Sequence, residues 1–423
     1  LTIIWNAMPE FIDLLPPQDA LEKFLGNFQF QLDADEIDTR LARGRVVLQE
    51  MHAPHSLPTF TRSTVDGFAV RAADTHGASG SMPAYLELAG EIRMGQEAGF
   101  SLSDNQCGLI HTGGMLPAGA DAVVMLENTQ IAREKEIEIL RAAAVGENVI
   151  KIGEDIRQGD VIVPAGKVLG AADIGGLLAL GLTRIQVSRK PLIGIISSGD
   201  EVVPPEMEIN SGKVKDINSY SVAALIEKSP VVARNYGIVP DEEEPLRAAA
   251  AQAVQECDLV IITAGSSASN RDLTARVIDS LGGPGVIVHG VNVRPGKPTI
   301  LAACHPAGTA RAKPVIGLPG NPVSALVIAI LFVEPVIDRL SGIKGERIRP
   351  LVRAQLSVNL ASSAGREDWI PVKLSAAGDL FTAEPIFGKS NLIFTLSRAD
   401  GLLHIPPQAT GFLAGEEVNV RLL

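Results

Sequence analysis

Acidic residues recur where apolar runs of this chain end. Asp200 and Glu201 follow "PLIGIISSG", Asp241 follows "GIVP", and Asp272 follows "DLVIITAGSSASNR". Asp66 stands beside Gly67 in "STVDGFAV", and Asp155 stands in "GEDIRQGD". Close to these acids are loops of a kind that hold anions. "TAGSSASNRD" places Gly265, Ser266 and Ser267 just before a helical stretch, and "GLPGNPVSA" does the same with Pro319, Gly320 and Asn321. The first N–H groups of a helix lack internal partners and attract oxyanions. "VRPGKPT" adds Arg294, Lys297 and Pro298 in a tight turn, and "GKVKDINSYS" adds Lys213 and Lys215 beside Asp216 and Ser219. Acids next to an anion site are costly unless a cation stands between them, and Mg²⁺ bridging carboxylates and phosphates resolves that conflict. The 264–272 loop also has a plainer reading, as a turn whose Ser269 caps the next helix with Asp272 completing the pair. It is neither a P-loop nor a dinucleotide fingerprint, since the Lys-Ser/Thr pair and the GxGxxG spacing are missing. On the residues alone, both readings stand.

The elements that must position these residues are legible as patterns. From Lys190 to about Leu340, near-continuous Val/Ile runs alternate with helical stretches, which implies a parallel sheet covered on both faces. In such doubly wound α/β sheets ligands bind at the carboxyl ends of the strands, where the Asp200, Gly265 and Gly320 loops fall. "PQDALEKFLGN" reads as an amphipathic helix, and a second short helix is expected over 36–50. Between about 51 and 149 short β-prone segments and Pro/Gly turns dominate, as in a β-rich insertion. The last stretch, from about 343, reads as a small β-barrel or sandwich. The expected domains are 1–50 with 150–187, discontinuous and elongated; 51–149, the insertion; 188–342, the α/β domain; and 343–423, the barrel.

Composition limits the function classes. The chain has 423 residues and a formal charge of -12. Proteins that coat nucleic acid are usually basic because phosphate neutralisation drives that binding, so no nucleic-acid partner is expected. An anionic ligand would need a local basic or amide-lined site against this field. Cys107, Cys257 and Cys304 are far apart with no CxxC pair, which fits small reduced core residues. The scattered histidines give no metal-ligand spacing. The start of the chain shows no signal-peptide pattern, and the longest apolar stretch is broken by Glu334. No membrane span and a cytoplasmic setting are expected.

The motifs, taken in order, resemble those of the MoeA/gephyrin E-domain family, the molybdopterin molybdotransferases. "STVDGFAV" is similar to that family's S-A-M-D-G-Y-A-V signature, and "LIHTGGMLPAGADAVVMLEN" to its T-G-x-x-x-P-x-G-A-D-x-V-V segment. "GEDIRQGDVIVPAGKVL", "ISSGDEVV", "KDINSYSVAAL", "RPGKPT", "GLPGNPVSA" and "GREDWIPVKL" follow in the expected sequence. The resemblance implies a four-domain, mixed α/β fold and a homodimer. The implied substrates are adenylylated molybdopterin and molybdate, with AMP released, molybdenum inserted into the dithiolene, and Mg²⁺ assisting. It also implies catalytic roles for Asp66, Thr112, Asp155, Glu201, Asp241 and Asp272, with Mg²⁺ on Glu201, Asp241 and Asp272. Substrate contacts are implied for Gly67, Asp200, Asp216, Ser219, Gly265, Ser266, Ser267, Lys297, Pro298, Pro319, Gly320 and Asn321. The 264–272 loop departs from the family's S-G-G-x-S-x-G form: it is shorter by one residue, and Ser266 and Asn270 replace glycines. The alternative is therefore a divergent paralogue that binds the pterin or molybdate without turnover. Phe68 also replaces the signature Tyr.

Overall fold

The structure, a computed structural model, describes residues 14–209, 212–264, 268–309, 311–345, 347–378 and 380–423, with the backbone alone for 268–272 and 377. These residues form two compact units. One runs to Leu48, takes in Gly166–Gly170 and resumes from Ile185 to Leu423; the other comprises Gln49–Ala165 and Ala171–Arg184.

The second unit contains a six-stranded sheet. Its order is Ala122–Met125, Gly67–Val70, Gln106–Ile110, Ala84–Ile92, Glu136–Ile139, Thr129–Arg133. Successive side chains of a strand point to opposite faces. Phe68 and Val70 therefore join Leu86 and Cys107 in one core layer, while Ala69 joins Ile92 and Ile110 in the other. Phe68, the departure from the signature, is buried in this apolar layer, where a phenol hydroxyl would need a partner. Gly67 is buried too: a Cβ there would stand 2.0 Å from the Val124 carbonyl oxygen, so the close strand approach requires glycine.

The first unit holds the α/β sheet, in the order Val232–Val239, Leu192–Ser198, Leu259–Thr263, Lys313–Leu318, Ile300–Cys304, Pro284–His289. Both faces are covered. Ile193, Ile195, Ile261 and Ile316 pack toward the helices Asn218–Ile226, Pro322–Ile328 and Glu334–Leu340. Ile196, Val260 and Ile262 pack toward Glu243–Glu256 and Ala268–Ser280. Burial on both sides explains why these strands read as unbroken apolar runs. The sheet is not wholly parallel. Its first four strands are, but Ile300–Cys304 runs antiparallel to both of its neighbours. That strand, "ILAAC", is short and lacks the helix that marks a parallel crossover.

Two further elements differ from expectation. No α-helix spans 36–50. Instead Ala34–Asp38 is a strand, Asp38 accepts the Arg40 N–H to start one 3-10 turn, and Gly44 takes a positive φ of 79°. Val46 then faces Val168 across an antiparallel bridge in which the Val47 N–H donates to the Lys167 carbonyl, so tertiary pairing overrides the local pattern. The long apolar helix is interrupted as well: Ala329–Val333 is a π-turn between Pro322–Ile328 and Glu334–Leu340. Pro335 lacks the N–H that an uninterrupted helix would use at that point.

Five strands close a barrel near the C-terminus: Glu367–Ala377, Leu380–Pro385, Leu351–Leu356, Glu417–Leu422 and Gly401–Ile405, which pairs back with the first. The short strand Val293–Arg294 pairs with Glu367–Asp368 and ties the α/β loops to this barrel. Among the described residues no helix is long and apolar enough to cross a membrane. All three cysteines are free and buried; burial pushes the Cys107 and Cys304 thiols up to about 12.

Candidate functional site

A cleft of about 610 Å³ opens at the carboxyl edge of the α/β sheet. Ser197 and Ser198 close the strand Leu192–Ser198, Thr263 closes Leu259–Thr263, and Gly320 and Asn321 follow Lys313–Leu318; all line it. Parallel strands that end together bring these residues together from distant positions. Asp216 is buried at the cleft wall and fully engaged. It accepts from Ser197 Oγ at 2.8 Å, from Ser219 Oγ at 2.6 Å and from the Ser219 N–H at 3.1 Å. Thr263 Oγ1 donates to Ser197 Oγ at 3.3 Å, and Asn235 Nδ2 to Ser219 Oγ at 3.2 Å. Asp216 and Ser219 thus hold the wall in place. Asn218, next in the chain, donates to the Gly320 carbonyl at 2.8 Å, while its Oδ1 is buried with no partner among the described residues.

The carboxylates gather at the rim. Ser198 Oγ donates to Asp241 Oδ1 at 2.6 Å, and the Asp241 N–H donates to Asp200 Oδ1 at 3.1 Å. Lys213 Nζ donates to the Asp200 carbonyl at 2.6 Å. Glu201 lines the cleft itself. Gly265, Ser266 and Ser267 lie outside the described residues, as does the side chain of Asp272 on the helix Ala268–Ser280. Among the described residues no set of three or more His, Cys, Asp or Glu forms a metal cage. Mg²⁺ asks for less, since one or two carboxylates and substrate phosphates suffice. The hard oxygens of Asp200, Asp241 and Glu201 beside the cleft fit that demand.

A second cleft, of about 880 Å³, shares Gly320 and Asn321 with the first. It lies between the α/β loops and the barrel. Arg294, Lys297, Arg366 and Lys389 line it, with Pro298 and Pro319. Among the described residues no Asp or Glu lines it, although the chain as a whole is acidic. Gly296 turns the "RPGKP" loop with φ 124°, and a Cβ there would sit 2.4 Å from Ile328 Cδ1. Glycine therefore lets the loop press onto the helix and leaves Lys297 exposed at the cleft. The chain between the clefts is fastened by Asn321 Nδ2 donating to Ser390 Oγ at 3.0 Å and the Val323 N–H to the Ser390 carbonyl at 3.0 Å.

Asp66, Thr112 and Asp155 belong to the other unit. There the Thr112 N–H and hydroxyl both donate to Asp66 Oδ1, at 2.7 and 3.1 Å. These bonds, the main-chain one foremost, hold the Asp66 carboxyl below the usual carboxylate range. Asp155 is exposed, and its N–H donates to the Leu57 carbonyl at 3.1 Å.

Several residues at the clefts were not singled out from sequence. Ser197, Ser198, Asn218 and Arg366 stand inside the motifs quoted above, so motif position could have found them. Lys389 and Ser390 carry no such signal, because only folding brings them to Asn321 across 69 residues.

Fold and clefts together define a multidomain α/β protein with one cleft at the carboxyl edge of its sheet and a cation-lined cleft beside it. Family models match in chain order: "MoeA N-terminal region (domain I and II)" over residues 15–181, "Probable molybdopterin binding domain" over 194–339, and "MoeA C-terminal region (domain IV)" over 353–423. A molybdopterin molybdenumtransferase of Nostoc sp. is 31% identical over 92% of this chain and 89% of the relative. A crystal structure of a molybdopterin biosynthesis MoeA protein from Pyrococcus horikoshii is 36% identical, with TM-score 0.79, over 97% of this chain and 99% of that one. A second such structure from the same organism has TM-score 0.83 at 28% identity, over 97% and 100%. The chain belongs to the MoeA family.

Proposed function

We propose that this chain is a molybdopterin molybdenumtransferase: it takes adenylylated molybdopterin and molybdate, inserts molybdenum into the dithiolene and releases AMP. The observation that carries this reading is the pair of clefts joined at Gly320 and Asn321, one lined by hydroxyls, amides and charges of both signs and the other, among the described residues, with cations as its only charged lining. The first suits a pterin nucleotide. Ser197 and Ser198 are fixed by donating to Asp216 and Asp241, and Asn218 and Asn321 by donating to the Gly320 carbonyl and to Ser390 Oγ, so little reorganisation is needed on binding. The second suits an oxyanion, with Lys297 as one charged contact. The shared wall puts the two reactants next to each other, and placement of that kind removes much of the entropic part of a barrier.

Mg²⁺ belongs to the same proposal, with Glu201, Asp241 and Asp200 as its holders. When bound it would neutralise phosphate charge. Asp241, whose N–H donates to Asp200 Oδ1 and whose carboxylate accepts from Ser198 Oγ, would be held in place as one of those holders. A homodimer is also part of this reading, supported by the family resemblance alone.

Purified protein supplied with adenylylated molybdopterin, Mg²⁺ and saturating molybdate should release AMP in a molybdate-dependent way. Pterin-nucleotide binding without any release would instead favour the non-catalytic paralogue.

A further inference from the structure

Asp368 is fully buried, at the point where Val293–Arg294 pairs with Glu367–Asp368. Its carboxylate has two guanidinium partners. Arg294 Nη2 lies 2.6 Å from Oδ2. Arg366 donates from Nε to Oδ1 at 2.8 Å and from Nη2 to Oδ2 at 3.3 Å. Ser362 Oγ completes the set, donating to Oδ2 at 2.8 Å. Both arginines line the 880 Å³ cleft, and Asp368 does not. A buried carboxylate persists only when paired and hydrogen-bonded, and this one is satisfied on both oxygens. Arg366, held at two points, cannot leave or turn its plane without breaking those bonds, and Arg294, ion-paired through Nη2 to the same carboxylate, is kept beside it.

We propose that Asp368 is a positioning residue: it holds Arg294 and Arg366 at a fixed separation, so that the cleft presents a preformed two-guanidinium face to a tetrahedral oxyanion. The inference rests on reading this cleft as the oxyanion site. Two effects of the carboxylate oppose each other. Its negative charge weakens the pull of the cleft on an anion, so by field alone its removal would tighten binding. Its bonds restrain two long side chains rich in rotamer entropy, so by placement its removal would loosen binding. Arg294 is half exposed, and solvent and salt screen the field there. Placement therefore dominates, and the sign of the effect separates the two.

The test is Asp368→Asn in the complete chain, a change that keeps the shape and removes the charge. The KM for molybdate in AMP release should rise about tenfold or more, as when charge-assisted hydrogen bonds are lost. The KM for the pterin nucleotide should stay where it is, which a general structural defect would not allow. Calorimetric titration with molybdate alone should show the same weakening. Asp368→Asn should weaken molybdate binding less in an Arg366→Gln background than in the unaltered chain, since part of its effect runs through that arginine. Unchanged or tighter molybdate binding by Asp368→Asn overturns the proposal. Should that variant fail to fold, Ser362→Ala loosens the same carboxylate and should weaken molybdate binding about threefold; no change there overturns it equally. If the unaltered chain releases no AMP, the function proposed above fails, while the molybdate titrations still decide the role of Asp368.

Discussion

Asp66 illustrates how much a single carboxylate owes to its neighbours. It is exposed, yet two donors from Thr112 keep it ionised to lower pH than a free aspartate. A carboxyl with a depressed folded pKa favours the folded state above its unfolded pKa, and that advantage is lost as pH falls through the folded value. Thr112→Val removes the hydroxyl and leaves the main-chain N–H. The Asp66 pKa, followed by carboxyl NMR, should therefore move up part of the way toward the ordinary value; a pKa that stays put would contradict the assignment. At this scale the sequence was informative where chemistry and motif coincide. Asp200 and Asp241 were found as acids ending strands, and Lys297 as a cation held in a Gly–Pro turn. Asp368 was not found. One Asp in a β-rich tail looks like any surface acid until pairing with the Val293–Arg294 strand buries it against two arginines.

The barrel is pinned to the α/β domain by an ion network between elements. Glu334, on the helix Glu334–Leu340, accepts from Arg421 of the strand Glu417–Leu422 at 2.7 Å and from Arg349 at 3.2 Å. Arg349 reaches Asp338 of the same helix at 3.5 Å. Burial pushes the Arg421 guanidinium down to about 10 and the Asp338 carboxyl up, so both charges depend on their partners. Glu334→Gln would leave Arg421 and Arg349 facing each other without the shared carboxylate. It should cost about 2–3 kcal/mol in denaturant unfolding, less than a fully buried pair because some solvent access remains. A loss near zero would show that the network contributes nothing net. Element types were readable where burial marks the sequence, as an unbroken apolar run in Leu259–Thr263 or as alternation in Ala84–Ile92. They failed where long-range pairing decided: the expected 36–50 helix gave way to bonds with 167–168, and the antiparallel Ile300–Cys304 strand carries no local mark of its direction.

At the scale of the molecule the main feature is a contradiction in charge. A chain of net charge -12 keeps a cleft whose charged lining residues, among the described residues, are Arg294, Lys297, Arg366 and Lys389. On the proposed function, such a local reversal would draw an anion through a repulsive surround and select where it rests. The order of motifs made the family legible from sequence, and the comparisons agree with it. The meeting of two clefts at Gly320 and Asn321 was not legible, because it depends on Ser390 arriving from 69 residues further along the chain. The most direct measurement is a crystal of the protein soaked with sodium molybdate and AMP, with diffraction data collected at the molybdenum absorption edge. The account expects an anomalous peak beside Lys297 and Arg366 and nucleotide density against Ser198 and Asn218. A strong peak away from both clefts, with each of them empty, would contradict it.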